Sequence, residues 1–455
     1  MRRASHFVAR QFPTAIFLAM LSMIPVQSQA QSQRKSAAKP AAQSPSRPKE
    51  DSLAPLLQQA KESIDKNDFA AALEPLKKYL ADRPDDPFAH FQLGYAYAGL
   101  KRWEEAKAEF SRAIALDPKM APAHLNLGLV LMESESAPAE VAEAFRHAAE
   151  LQPTESRPRY LTGYALERAG KFSEAGDQYR AALTISPKDY ECHFALGRVL
   201  LRTNDAAGAE EHFREAVAIR ADSAPARLGV ANALLTQKKY EAGADALAEY
   251  LKLNPGDRAE RFERASALMD LDRFDDALAE LDRAEAGSTP TADGLKMRAD
   301  IYLHQNKWKE ASVTLTEAIR QSPQDQQLLA WLGHAEIELH DYPTAINVLG
   351  KVVGNNPQDA DALRELVNAF FLHEDYAATI GAMDRLTKLE TPKPASWFVR
   401  AICYDKLSRK VEAIEAYQKF LELDNGQNET QDFQARRRAY TLQSELGQAP
   451  KKQKR

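Results

Sequence analysis

The sequence predicts an all-α fold, an α-α superhelical solenoid of about eleven helix pairs with a C-terminal capping helix. Three observations carry this prediction. Polar–Pro dipeptides return at 34 residues or multiples of it, at Asp117-Pro118, Gln152-Pro153, Ser186-Pro187, Asn254-Pro255, Ser322-Pro323 and Asn356-Pro357, with one extra residue between Pro118 and Pro153. Between these marks run two stretches of about a dozen residues whose apolar side chains recur every three or four positions, the spacing of an amphipathic helix. Small residues also return at two fixed places in most units.

A polar residue followed by proline favours a turn and ends a helix, so each dipeptide punctuates the chain. The units begin near Leu53, Pro87, Ala121, Ser156, Tyr190, Ala224, Arg258, Ala292, Gln326, Ala360 and Pro394. Position eight is small in ten of them: Ala60, Gly94, Gly128, Gly163, Gly197, Ala231, Ala265, Ala299, Gly333 and Ala401. Position twenty is small in nine: Ala72, Ala106, Ala175, Ala209, Gly243, Ala277, Ala311, Ala345 and Ala413. Two antiparallel helices approach closely only where neither presents a bulky side chain, so these positions set the contact and larger residues fill the space beside it. The tenth unit departs from the pattern with Val367, Thr379 and Leu386 at normally small positions. Its helix pair is expected to splay.

The second unit carries Leu93-Gly94, Tyr97, Trp103, Ala106, Phe110, Ala113 and Pro118, and the fourth and eighth repeat much of this skeleton. The period and the residues resemble the tetratricopeptide repeat. The resemblance spans residues 53–426 and implies a fold whose work is to hold other proteins. Residues 427–446 read as an amphipathic capping helix with Phe433, Ala439, Tyr440, Leu442 and Leu446 as its apolar residues, the closure that repeat arrays need. Residues 447–455 read as a basic tail.

The first fifty residues have another character. Arg2, Arg3 and Arg10 flank an apolar run from Ala15 to Val26, followed by Ser28-Gln29-Ala30, and no acidic residue precedes Glu50. A charged start, a short apolar core and a small-x-small site make a secretory signal over residues 1–30. The run is short for a bilayer span, and Pro25 interrupts its end. Export to the bacterial periplasm or the extracellular space is therefore expected, without a stable membrane span once the signal is removed. Residues 31–52, rich in Ala, Pro, Ser, Gln and Lys, read as a disordered linker.

Composition narrows function further. The chain has 455 residues, 44% apolar and 27% charged, with a net charge of −5. Setting apart +3 at the N-terminal arginines, +3 over residues 31–51 and +4 over 451–455 leaves −15 for the body between. An acidic body is a poor match to nucleic acid. Two cysteines, Cys192 and Cys403, cannot build a disulfide framework or a closely spaced zinc site. No phosphate-binding glycine loop, His-Glu-x-x-His, Gly-x-Ser-x-Gly or Cys-x-x-Cys occurs. No enzyme activity, cofactor or metal is expected.

Function should then lie on the face that the first helix of each repeat presents. In the family this face is built mostly from positions two, five, six, nine, twelve and thirteen, which here implies a groove for protein or peptide partners. Its residues are Phe88, Phe91 and Tyr95 in repeat two, Asn126 in repeat three, Arg157, Tyr160, Tyr164 and Arg168 in repeat four, and Phe194, Arg198 and Arg202 in repeat five. Asn126 and Arg157 match two positions of the carboxylate clamp found in chaperone-binding relatives, whereas Phe91 and Tyr95 replace its first lysine and asparagine. A solvated face with arginines paired to Glu167 and Glu191 is the competing reading of the same residues. A monomer outside any complex is expected, either as a binding scaffold or as a structural subunit of an envelope assembly machine such as polysaccharide export or pilus and outer-membrane biogenesis.

Overall fold

The computed structural model describes residues 50–447, which form 23 α-helices. The expected signal over 1–30, almost all of the 31–52 linker and the end of the basic tail lie outside the described residues. The described chain divides into two compact bodies between Asn254 and Pro255. In each pair the first helix is helix A and the second is helix B.

The N-terminal body holds six pairs. They are Glu50–Asp65 with Phe69–Asp82, Pro87–Gly99 with Trp103–Leu116, and Ala121–Glu133 with Pro138–Leu151. Ser156–Arg168 with Phe172–Ile185, Tyr190–Arg202 with Ala206–Ile219, and Ala224–Thr236 with Tyr240–Leu253 complete it. The C-terminal body holds Arg258–Met269 with Phe274–Glu285, Ala292–His304 with Trp308–Gln321, and Gln326–Glu338 with Tyr342–Asn355. It continues with Ala360–Leu372 paired to Tyr376–Leu386 and Pro394–Lys406 paired to Lys410–Asp424, and ends on the single helix Glu429–Glu445. Within each body, helices adjacent in sequence pack on one another, which is the predicted α-α solenoid arrangement. The first helix begins at Glu50, upstream of the expected Leu53.

Helix ends follow from local chemistry. Asp86, Asp189, Asp325 and Asp359 cap A helices by accepting backbone N–H bonds, and Asp68, Asp205, Asp341 and Asp375 do the same for B helices. Such caps satisfy N–H groups that have no partner inside the helix. Each B helix that precedes a polar–Pro step stops on a residue driven out of helical geometry, such as Asp117 at φ −132°, ψ 90° and Asn356 at φ −129°, ψ 86°. This is the conformation that a following proline enforces. Arg220 adopts φ −133°, ψ 89° before Ala221, so proline reinforces the exit but is not required for it.

Every A-to-B turn closes in one way. Asn67, Lys101, Glu135, Gly170, Asn204, Lys238, Asp272, Asn306, His340, Glu374 and Ser408 all have positive φ. The next residue's N–H then reaches back five residues, as Asp375 does to Phe370 O at 3.0 Å and Arg102 to Tyr97 O at 2.9 Å. This is the Schellman closure of helix A. Only Gly170 adopts it without a Cβ penalty.

The core of each pair lies between position eight of helix A and position twenty-four of helix B. In repeats two to five the residues are Gly94 with Phe110, Gly128 with Phe145, Gly163 with Tyr179 and Gly197 with Phe213. A Cβ at Gly128 would stand 2.5 Å from the Phe145 ring, and one at Gly163 2.7 Å from Tyr179. Where position eight is alanine in repeats one, six, seven and eight, position twenty-four is leucine: Leu76, Leu247, Leu281 and Leu315; repeat nine combines Gly333 with Leu349 and repeat eleven Ala401 with Tyr417. These alanines and leucines are fully buried, as are the four aromatic rings of repeats two to five.

Two regions differ from expectation. Repeat ten absorbs its bulky residues by shortening helix B to 11 residues and burying Thr379, whose hydroxyl donates to Asp375 O at 2.8 Å. A small apolar cleft opens beside it, lined among others by Val367, Met383, Leu386 and Trp397. The capping helix buries Ala435, Ala439 and Leu442, while Phe433, Tyr440 and Leu446 are exposed. At 100° per residue Phe433 and Tyr440 lie on the side opposite the buried stripe, so the expected apolar set divides between two faces.

Holding a non-glycine residue in the left-handed region costs about 1–2 kcal/mol. Glu374→Gly is expected to stabilise the C-terminal body by about 0.5–1 kcal/mol, the gain being cut by the entropy glycine adds to the unfolded chain. Gly170→Ala should destabilise the N-terminal body by about 1 kcal/mol. Urea unfolding of each variant reads both.

Candidate functional site

The expected contact residues fall at three depths. Phe91, Asn126 and Phe194 are inside, at 5%, 4% and 8% exposure. The Asn126 amide donates to Pro122 O at 2.8 Å, one turn back on its own helix. Position five explains the two phenylalanines. Phe91, Tyr160 and Phe194 hold that position in repeats two, four and five, and each ring lies 5.7 Å from the position-twenty-four ring of its own pair: Phe110, Tyr179 and Phe213. An aromatic at position five therefore packs on the core ring beneath it. Phe91, Asn126 and Phe194 cannot offer area to a partner, which corrects their placement in an open groove.

Positions two, nine and thirteen remain at the surface. Phe88 is exposed and stacks on Phe91 at 6.4 Å. Half-buried Tyr95 meets the edge of Phe69 from the preceding repeat at 6.1 Å. In repeat five the arginines at positions nine and thirteen are occupied. Arg198 donates to both carboxylate oxygens of Glu167 at 2.7 Å, and the Tyr179 hydroxyl donates to Glu167 at 3.0 Å. Arg202 lies over the Phe172 ring at 5.0 Å. Glu167 thus ties repeat four to repeat five through a largely buried pair. Glu191 pairs instead with Arg220 at 3.6 Å.

Repeat four is different. Arg157 and Tyr164 are half-buried and Arg168 is exposed. Neither Arg157 nor Arg168 has a carboxylate partner among the described residues. Burial pushes the Arg157 guanidinium below its usual pKa, because a charge leaving water without a counter-ion is disfavoured. Burial likewise pushes the Tyr160 phenol up. Arg157, Tyr160, Tyr164 and Arg168 follow one another at three, four and four residues and so share a face of helix A. The face combines two uncompensated cations with phenolic rings.

A second polar set was not legible from motifs. Residues four and twenty-three of a pair meet on its other side. His90 Nδ1 is 2.6 Å from Glu109 Oε2, His193 Nδ1 is 3.1 Å from His212 Nδ1, and Arg261 donates to Glu280 at 3.0 Å. The same position-four side chains bond the carbonyl that opens the preceding turn, at Pro84, Pro187 and Pro255. Glu280 is buried and also accepts from Arg264 and Arg283. The constant 19-residue spacing is the signal that would have found these pairs. Burial keeps both thiols from ionising easily, and Cys403 is pushed up to about 11. Among the described residues no cluster of three or more His, Cys, Asp or Glu is placed to hold a metal, and no helix is long and apolar enough to cross a membrane.

Two outcomes follow. Glu167→Gln should cost about 2–4 kcal/mol, since it leaves Arg198 without its buried counter-charge, whereas Arg157→Ala should change stability by less than about 0.5 kcal/mol. Hydrogen exchange in repeats four and five distinguishes them. His212 is held below its usual value by burial and then by His193 beside it, with Arg180 lowering it further and Glu211 and Glu215 opposing. Its neutral form is the one the fold favours, so its contribution is complete above the usual value of 6.5 and is lost as pH falls below it. Amide protection in repeat five should fall between about pH 7.5 and about pH 5.5, and His212→Gln should flatten that slope.

Models of the tetratricopeptide repeat match residues 87–120, 302–370, and the overlapping or adjoining spans 142–190, 160–225, 194–258, 262–326 and 373–428. No curated protein matches. Among solved structures, MamA from Desulfovibrio magneticus RS-1 is similar at 21% identity, covering 38% of this chain and 97% of its own, with a TM-score of 0.36. YrrB, described as a TPR protein with an unusual peptide-binding site, is similar at 19% identity over 44% of this chain and 97% of its own, with a TM-score of 0.36. A complex of Naa15 and Naa10 bound to HypK-THB aligns at 13% identity over 86% of this chain and 68% of its own, with a TM-score of 0.45. The spans matched by the repeat models cover more than half of the sequence, and the chain belongs to the tetratricopeptide-repeat family.

Proposed function

We propose that this protein is a non-catalytic scaffold that holds carboxylate-bearing peptide segments or partner proteins on the helix A face of repeat four and its neighbours. The observation that carries the reading is the contrast between adjacent repeats. Arg198 is neutralised by Glu167 and Arg202 lies on Phe172, yet Arg157 and Arg168 have no counter-ion among the described residues. A half-buried guanidinium gains most from a carboxylate that binds it in two places at once. Tyr164 between the two arginines, and Tyr95 and Phe88 two repeats earlier, offer apolar area beside them. Acidic peptides with apolar neighbours, or a free C-terminal carboxylate, suit such a face.

The same proposal places the work outside the cytoplasm, in a bacterial periplasm or beyond the cell. Its support is the order of arginines, apolar run and Ser28-Gln29-Ala30 at the N-terminus. N-terminal sequencing of the exported protein should begin at Gln31, and material still carrying Met1 would contradict it.

The binding reading is tested with a displayed library of short acidic-apolar peptides, each presented with a free or an amidated C-terminus. Arg157→Ala with Arg168→Ala should leave the helical spectrum unchanged and weaken capture by about ten-fold or more, as loss of charge-assisted hydrogen bonds requires. Unchanged capture, together with its loss on altering Arg364 and Asn368 in repeat ten, would move the site to the C-terminal body.

A further inference from the structure

The closing helix Glu429–Glu445 carries two exposed aromatic rings on the otherwise polar outer face expected of a cap. Phe433 is 66% and Tyr440 58% exposed, more than most other large apolar side chains of the described chain. They stand two turns apart, and Arg437 lies on the same face between them. The neighbouring arginines differ in their ties. Arg438 is held by Asp405 at 2.5 Å and 2.8 Å, and Arg436 reaches Asp432 only at 3.4 Å. Arg437 has no ion pair among the described residues. Exposed Leu446 follows at the helix end. Beyond it, residues 448–455 carry four basic side chains and no acidic one.

We propose that this face is a peripheral docking surface for an anionic lipid bilayer. Ordering two bulky aromatic residues in water gains nothing for the fold, because the helix is already anchored by Ala435, Ala439 and Leu442 on its other side. Aromatic rings with a cation between them suit the boundary of headgroups and acyl chains, where the rings lose water and the guanidinium meets phosphate. Charge selects this occupant over a second copy of the chain. Two copies of this face would oppose Arg437 to Arg437, and although Glu429, Asp432 and Glu445 balance the three arginines of the helix, the residues after it add +4 to a chain whose body is acidic, so this end is the part that a negative surface attracts. Clustered basic residues on and beside an amphipathic helix gain about five-fold in partitioning for each charge brought near an anionic leaflet.

The test is co-sedimentation of the mature protein, beginning at Gln31, with vesicles of neutral phosphatidylcholine, and of phosphatidylcholine with about 30% phosphatidylglycerol. The apolar run at residues 15–26, which could enter either vesicle, is thereby kept out of the comparison. Binding is expected to require the anionic lipid and to weaken with added salt. Arg436→Gln with Arg437→Gln should reduce it roughly twenty-fold, and Phe433→Ser with Tyr440→Ser should reduce it by a similar amount. Both pairs are exposed, and circular dichroism checks that helix content is kept. Equal binding to neutral vesicles, or unaltered binding by either double variant, overturns the proposal. So does a sedimentation result in which the wild type self-associates and the Phe433/Tyr440 variant does not, which would assign the face to a second copy.

Discussion

The contact between position eight of helix A and position twenty-four of helix B is the constraint on which the remaining structure depends. Each pair is too small to enclose a core of its own, so one large side chain must lie against the facing backbone. In repeats two to five glycine at position eight admits an aromatic ring, as at Gly94 with Phe110 and Gly197 with Phe213, while in repeats one and six to eight alanine accompanies leucine, as at Ala265 and Leu281. A small residue faces a large one in every repeat but the tenth, although neither identity is fixed. Repeat ten shows what happens otherwise. Val367 stands opposite Met383, helix B shortens, and a cleft opens beside them.

That contact also decides which residues remain for binding. A ring at position twenty-four draws the position-five aromatic onto itself, which removes Phe91 and Phe194 from the surface. Positions two, nine and thirteen point elsewhere and stay accessible, and what they do depends on the neighbouring repeat. Arg198 finds Glu167, and Arg202 finds Phe172. Arg157 finds no carboxylate among the described residues, and its charge is left half-buried. The uneven use of one register position from repeat to repeat is what separates a structural arginine from one available to a partner.

The period, the paired small positions and the capped helix starts were legible because each is a local property of residue type. Proline forces the preceding residue out of the helix, aspartate caps the next one, and glycine marks the close approach. Depth was not legible for the candidate face. A register position states which way a side chain leaves its helix, but the depth of Phe91 depends on Phe110, nineteen residues away. The partner of Arg198 was open between solvent, Glu167 and a ligand, and only the packing of repeat five on repeat four resolves it. In the closing helix the apolar residues were counted without their phase, so Phe433 and Tyr440 were grouped with Leu442 although they face the other way. The left-handed turn residues show no common type, since Lys238, Glu374 and Ser408 are imposed on the turn by the helices around it.

If the small–large contact governs each pair, its two members must be energetically coupled. A double-mutant cycle on Gly128 and Phe145, followed by urea unfolding of the N-terminal body, measures that coupling directly. Gly128→Ala alone should cost about 1–3 kcal/mol by overpacking against the ring. Adding Phe145→Leu, which recreates the alanine–leucine combination of repeats six to eight, should make the double variant more stable than the sum of the single effects by at least about 1 kcal/mol. Simple additivity of the two losses would contradict the account.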